Sequence, residues 1–158
     1  MAVQVRWPPP KVMPKRILII EDDAEQAHQI ARLLSEEIRL SKSPHPASII
    51  SVRTFFEGLT KAREEHFDAC LIDLCLPDSH WQRTIGMIPD LAEHVPVVTM
   101  TGRAEETQAC NESLFGGADD FISKDRLARR PCDAWEALWK AAARRAYRHE
   151  QATTSTTV

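Results

Sequence analysis

No apolar run in this sequence is long. Ile17-Leu18-Ile19-Ile20 is as far as a clean one goes, and a membrane helix needs about 20 such residues. No transmembrane segment is expected. The opening residues, Met1-Ala2-Val3-Gln4-Val5-Arg6-Trp7-Pro8-Pro9-Pro10, lack the apolar stretch of a secretory signal, so the expected address is cytoplasmic. Cysteine is sparse. Cys70, Cys75, Cys110 and Cys132 never approach the Cys-x-x-Cys spacing of a zinc ribbon. Without an export signal they are not expected to build a disulfide framework. The histidines include no His-x-x-x-His pair, which disfavours a zinc hydrolase. Positive charge is not in excess either. Lys and Arg total 20 against 23 Asp and Glu, a formal charge of −3, so no global field draws the chain onto nucleic acid.

What is present suits one soluble domain. The chain has 158 residues, 43% hydrophobic and 27% charged, enough to bury about 68–70% of its unfolded surface. Four of its ten prolines fall within residues 1–14, where an extended, flexible Pro-rich arm is expected. Residues 15–150 form the expected domain, and the Thr- and Ser-rich residues 151–158 a disordered tail.

Between these ends the pattern alternates. Arg16 to Ile20 has the size of a buried parallel strand. Asp23 is placed to cap a helix whose face is Ala27, Ile30, Ala31, Leu34 and Ile38. Ala47 to Val52 reads as a second strand. Thr54 then caps a helix bearing Phe55, Phe56, Leu59 and Ala62. Ala69 to Leu74 is a third strand. Trp81 to Ala92 is a helix that Pro89 is expected to shorten or kink. Pro96 to Met100 is a fourth strand. Glu105 to Phe115 is a polar, poorly amphipathic helix closed by Gly116-Gly117. Asp120 to Ser123 is a fifth strand, and a last helix spans about 131–149 from Pro131. Five strands alternating with helices predict an α/β domain: a five-stranded parallel sheet with helices on both faces. Ligands of such sheets sit at the carboxyl ends of the strands.

The strand exits carry chemistry. Strand one leaves into Glu21-Asp22-Asp23, strand three at Asp73, strand four at Thr101 and strand five at Ser123-Lys124. Clustered carboxylates repel one another unless a cation holds them. All-oxygen ligands select a hard cation such as Mg²⁺. A Lys and a Thr beside such a cluster are what a transferring phosphoryl group requires, with Asp73 as nucleophile. Taken singly, each residue has a structural alternative: a helix cap, a solvated charge, an ordinary strand threonine. Four at four different exits are harder to dismiss.

These segments carry a resemblance. Residues 17–23, the stretch Phe67 to Asp78 with its Leu76-Pro77-Asp78 exit, residues 95–102 and residues 116–124 resemble, in order and interval, the receiver domain of bacterial response regulators. The resemblance covers about residues 15–128. It implies a flavodoxin-like (βα)5 receiver fold of the stand-alone, chemotaxis-regulator type. It implies Asp73 as the phosphoacceptor, with Thr101 and Lys124 as its catalytic partners. Mg²⁺ would be held by Glu21, Asp22, Asp73 and the backbone carbonyl of Cys75. Thr101 and Phe121 would be the switch pair.

Two departures from the family pattern bear on the site. Asp125 follows Lys124, where the family usually has a cis proline. A cis bond without proline costs roughly 3–4 kcal/mol, so the Lys124 loop is expected to be differently aimed. Ser79-His80-Trp81 replaces the usual glycine-containing loop, with Trp81 either over the site or in the core. Arg103, two residues past Thr101, is placed to screen a phosphoryl group or to help it hydrolyse.

The implied function is a response regulator charged by a sensor histidine kinase or a histidine phosphotransfer protein. It would signal by contact with a downstream protein or by phosphorelay. No DNA-binding output domain and no membrane association are expected. Its own chemistry would be limited to Mg²⁺-dependent self-phosphorylation and autodephosphorylation, so it is not expected to be a turnover enzyme. The alternative is a receiver-like interaction module that is never phosphorylated. An aspartyl-phosphate phosphatase is disfavoured, because Cys75 stands where such enzymes place a second Asp. In the last helix Trp135 and Trp139 read as core, or else as anchors of a homodimer. Its basic residues read as a solvated face rather than a nucleic-acid surface.

Overall fold

The short apolar runs assemble edge to edge, and the central ones are too apolar to face water on either side. In the computed structural model, which describes residues 13–78, 80–102 and 106–155, five strands form one parallel sheet. They are β1 (Arg16–Ile20), β2 (Ser48–Val52), β3 (Ala69–Asp73), β4 (Val97–Thr101) and β5 (Asp120–Ser123), in the order β2-β1-β3-β4-β5. The helices are α1 (Ala24–Leu40), α2 (Phe55–Glu64), α3 (Trp81–Ala92), α4 (Glu106–Phe115), α5 (Lys124–Arg129) and α6 (Pro131–Ser155). This is the doubly wound order expected, with its switch point between β1 and β3. The register sets Ile20 beside Ile72 and Thr101 beside Ser123, which brings the strand exits to one edge.

The alternation of side chains along each strand divides the core. Leu18, Ile20, Cys70 and Ile72 meet α2 and α3 through Phe55, Leu59, Ile85 and Ile88. Ile17, Ile19, Leu71, Val98 and Met100 meet α1 and α6 through Ile30, Leu34, Trp135 and Leu138. Every residue of β3 and β4 is buried, as parallel strands covered on both faces require. The caps fall where the sequence puts them. Asp23 Oδ1 accepts the Gln26 N–H at 3.0 Å, and Thr54 Oγ1 the Glu57 N–H at 3.2 Å.

Several expectations are corrected. α5 was not anticipated. Ser123 ends β5 and its Oγ accepts the Arg126 N–H at 3.0 Å, so the chain turns at once into a short helix. α6 runs to Ser155, past its expected end near 149 and through five residues of the expected tail. The rest of that tail, and residues 1–12 of the expected arm, lie outside the described residues. Pro89 does not shorten α3, which reaches Ala92 with Ile85, Ile88 and Leu91 all buried. Trp81 belongs to the core rather than to the site.

Trp135 and Trp139 are core as well, their rings 6.1 Å apart, and are not exposed as dimer anchors. Several cations of the last helix also do more than face solvent. Arg145 donates to the carbonyls of Ala92 and Glu93 at 2.5 and 2.6 Å, fastening α6 to the end of α3. Arg144 donates to the Asp119 carbonyl at 3.2 Å. Among the described residues, no helix is long and apolar enough to cross a membrane.

Candidate functional site

The chemistry sits where β1 and β3 emerge and diverge at the switch point. β1 is buried from Ile17 onward, and its direction carries Glu21 inward while the main chain is still in contact with β2. The Glu21 N–H donates to the Val52 carbonyl at 3.0 Å. Glu21 is 1% exposed and Asp73 3%, values rare for carboxylates without a partner. Asp22 is half-buried. One ligand oxygen from each of Glu21, Asp22 and Asp73 can be chosen so that all three lie within 4.8 Å of one another.

Lys124 meets this cluster from the start of α5, directly after β5. Its Nζ lies 2.7 Å from Asp73 Oδ2, 2.8 Å from Glu21 Oε2 and 2.7 Å from Gln26 Oε1. The expectation of a differently aimed lysine is therefore corrected. Although Lys124 opens a helix and Asp125 follows it, the ammonium still reaches the Asp73 carboxylate. Asp73 Oδ1 accepts the Cys75 N–H at 3.0 Å. Glu21 Oε1 accepts the Asp23 N–H at 3.1 Å. Thr101, 2% exposed, ends β4 at the same edge. These groups line an open cavity of about 450 Å³: Glu21, Asp22, Asp23, Gln26, Asp73, Cys75, Thr101, Gly102 and Lys124.

Electrostatics follow from burial. Desolvation pushes the Glu21 carboxyl up to about 7, and the Asp73 charge adds to this; the Lys124 hydrogen bond opposes it. Burial pulls the Lys124 ammonium down, but its hydrogen bonds and charge contacts with Asp73 and Glu21 outweigh that and leave it above the ordinary lysine value. Glu21 Oε2 is sealed from water and makes no hydrogen bond beyond its ion-pair contact with Lys124. One ammonium does not neutralise three acids. A buried oxygen with spare acceptor capacity, in a set made only of oxygens, fits a small hard divalent cation such as Mg²⁺.

The structure thus brings together Glu21, Asp22, Asp73, Cys75, Thr101 and Lys124. Phe121 does not line the cavity. It is half-buried on β5 and packs against the core shared with α2 and α3. Arg103 lies outside the described residues. Sequence reasoning missed two residues. Gln26 holds Lys124, and its signal was the Asp23-x-x-Gln26 spacing of a capping box. Asp78 was read only as the exit from β3. Its Oδ1 and Oδ2 accept the N–H groups of Phe55 and Phe56 at 3.1 and 3.3 Å, tying the loop beyond Asp73 to the start of α2.

Comparison with known proteins agrees with this fold. The family model for the response regulator receiver domain matches residues 17–130. The swarming motility regulation protein RssB of Serratia marcescens is 27% identical over 108 residues, 68% of this chain and 45% of that protein. The two-component response regulator PhoP of Pseudomonas aeruginosa is 28% identical over 109 residues, 69% of this chain and 44% of that protein. The chain thus spans less than half the length of these relatives. Among solved structures, a response regulator receiver domain protein from Clostridium thermocellum superposes with a TM-score of 0.66 at 20% identity, covering 84% of this chain and 97% of its own. A CheY-like receiver domain protein from Methanospirillum hungatei superposes with a TM-score of 0.58 at 25% identity, covering 80% and 97%.

Proposed function

Because the chain belongs to the response regulator receiver domain family, we propose that Asp73 accepts a phosphoryl group from a phosphohistidine and that the added charge switches a partner surface. The donor is a sensor histidine kinase or a histidine phosphotransfer protein. An Asp73 carboxylate oxygen attacks phosphorus as the P–N bond breaks. The bonding electron pair returns to the imidazole, which then takes up a proton. The carboxylate becomes an acyl phosphate. The observation that carries this reading is the Lys124 ammonium, 2.7 Å from Asp73 Oδ2 within a buried three-carboxylate cluster.

Each residue has a part in such a transfer. Lys124 offers a positive charge to the phosphoryl oxygens, and the Thr101 hydroxyl offers a donor from the β4 side. Glu21, Asp22 and Asp73, with the Cys75 carbonyl, would hold Mg²⁺, which supplies further positive charge for the same oxygens. The Cys75 N–H keeps one Asp73 oxygen in place. Phe121, which pairs with Thr99 of β4, and α4, which packs on β4 and β5, would pass the change to a downstream protein. The protein would act in the cytoplasm, and its chemistry would end with its own phosphorylation and autodephosphorylation.

The test is intact mass after incubation with acetyl phosphate and Mg²⁺, beside an Asp73→Asn control. One added phosphoryl group that needs both Mg²⁺ and Asp73 is the expected result. Full labelling of Asp73→Asn, or no labelling of the native protein by either acetyl phosphate or a phosphohistidine protein, would overturn the assignment.

A further inference from the structure

A lysine that opens a helix has a fixed backbone but a flexible four-carbon side chain. Something must aim it. Two of the three groups around Lys124 Nζ, Asp73 Oδ2 and Glu21 Oε2, are also the groups a divalent cation would draw. The third is Gln26 Oε1, at 2.7 Å, and it is neutral. A neutral amide oxygen fixes an ammonium without adding to the negative charge of the cluster.

The α1 N-terminus is wired to leave this amide available. Asp23 and Gln26 have the spacing of a capping box, in which the glutamine would reach back to the N–H of the cap residue. Here Glu21 Oε1 takes the Asp23 N–H at 3.1 Å instead. The other half of the box is intact, since Asp23 Oδ1 accepts the Gln26 N–H at 3.0 Å and anchors the residue's backbone. The Gln26 side chain is thereby released from capping and turned across the cavity to a residue 98 positions away.

We infer that Gln26 is the positioning residue for Lys124, holding the ammonium over Asp73 when Glu21 and Asp73 turn to the cation. The inference rests on the reading of Asp73 as phosphoacceptor and gives Gln26, which lines the same cavity, a part played through Lys124.

The decisive readout is the Lys124 side-chain ammonium signal in ¹H–¹⁵N spectra of lysine-labelled protein, assigned with Lys124→Arg, recorded with and without Mg²⁺. A held ammonium exchanges slowly enough to be seen. The native protein should show the signal in both conditions. Gln26→Ala should lose it, most clearly with Mg²⁺. Gln26→Glu, which keeps an oxygen at the same reach, should restore it. Gln26→Asn, one carbon shorter, should not. The thermal midpoints of the Ala and Asn variants should match the native value. In parallel, Gln26→Ala should raise the half-saturating acetyl phosphate concentration roughly three- to tenfold, the equivalent of one net hydrogen bond, with full labelling at saturation. An undiminished signal in Gln26→Ala, no signal in the native protein, or a loss that Gln26→Glu fails to restore would each overturn the inference. Failure of the native protein to be labelled would instead remove the phosphoacceptor reading, and the ammonium signal would still decide whether Gln26 holds Lys124.

Discussion

Two helices leave the same edge of the sheet next to the site, and they are held in different ways. α1 follows the acids of β1. It buries Ala27, Ile30, Leu34 and Ile38 along one face, carries a side-chain cap and packs against α6. α4 follows Thr101 of β4. Among its described side chains only Ala109 and Ser113 are buried, and Leu114 is 42% exposed. What its described side chains offer the sheet is a hydroxyl pair. Thr99 Oγ1 and Ser113 Oγ lie 2.9 Å apart, both residues fully buried, and Ser113 Oγ also donates to the Cys110 carbonyl at 3.0 Å. Its end is a glycine pair, with Gly117 at φ 103° and the Ala118 N–H on the Ser113 carbonyl at 3.0 Å. A stripe of four apolar side chains is worth several kcal/mol, while one hydroxyl hydrogen bond nets about 1 kcal/mol. The acid side of the site is therefore the firmer one, and the Thr101 side is the part with less to hold it in place.

The largest effect should come from the firmer side. Leu34 is fully buried between α1, α6 and the sheet. Leu34→Ala should cost about 3–4 kcal/mol, the transfer term plus the cavity left behind. Urea unfolding followed by circular dichroism would measure it. A cost under about 1 kcal/mol would mean that α1 is no better anchored than α4, and the contrast between the helices would fail.

A smaller effect is expected on the α4 side, and its chemistry is more telling than its size. Ser113→Ala leaves Thr99 Oγ1 with only its 3.4 Å contact to the Asp120 carbonyl. The cost should be about 1 kcal/mol. Adding Thr99→Val removes the stranded hydroxyl at nearly constant shape, and the double variant should return to within about 0.5 kcal/mol of the native protein. Amide exchange should quicken in α4 in the single variant and leave α1 unchanged. If the double variant is as unstable as the sum of two separate losses, the hydroxyl pair is not what seats α4.

Much of this was legible in the sequence, for a physical reason. Strands buried on both faces must be nearly all apolar, so β1, β3 and β4 announce themselves, and the first polar residue after each one marks the functional edge. Glu21 and Asp22 follow β1, Asp73 and Thr101 end β3 and β4, and Lys124 follows the shorter, half-buried β5. What escaped depends on local or long-range polar choices that periodicity does not register. Six residues are too few for α5 to show a stripe, and its signal was only Ser123 as a cap. The last turns of α6 are exposed on all sides, so nothing apolar marks them as helical. Arg145 looks like a solvated charge until Ala92 and Glu93, more than fifty residues away, present their carbonyls. Gln26 looks like half of a capping box until Glu21 takes over the other half.

The smallest effect tests the corner that closes the firmer side. Asp133 lies in the first turn of α6 and accepts from Arg126 Nε of α5 at 2.8 Å, with Arg130 Nε at 3.5 Å. The Arg126 hydrogen bond holds the Asp133 carboxyl below its usual 3.8, with the charges of Arg126 and Arg130 acting the same way. The folded state thus binds this proton less readily than the unfolded chain. The stabilisation is full above the usual value and is lost as pH falls through the depressed one. The arginines are largely exposed, so solvent screens most of it. Asp133→Asn should lower the thermal midpoint at pH 7 by about 1–2 °C. On acidification below pH 4 the native protein should come down to meet the variant, because protonated Asp133 and the asparagine that replaces it then carry the same charge. A gap that persists unchanged in acid would assign the effect to packing at the α5–α6 turn rather than to the ion pair. The absence of any gap at pH 7 would mean that apolar contact alone holds this corner, and that the firmness of the α1 side owes nothing to charge.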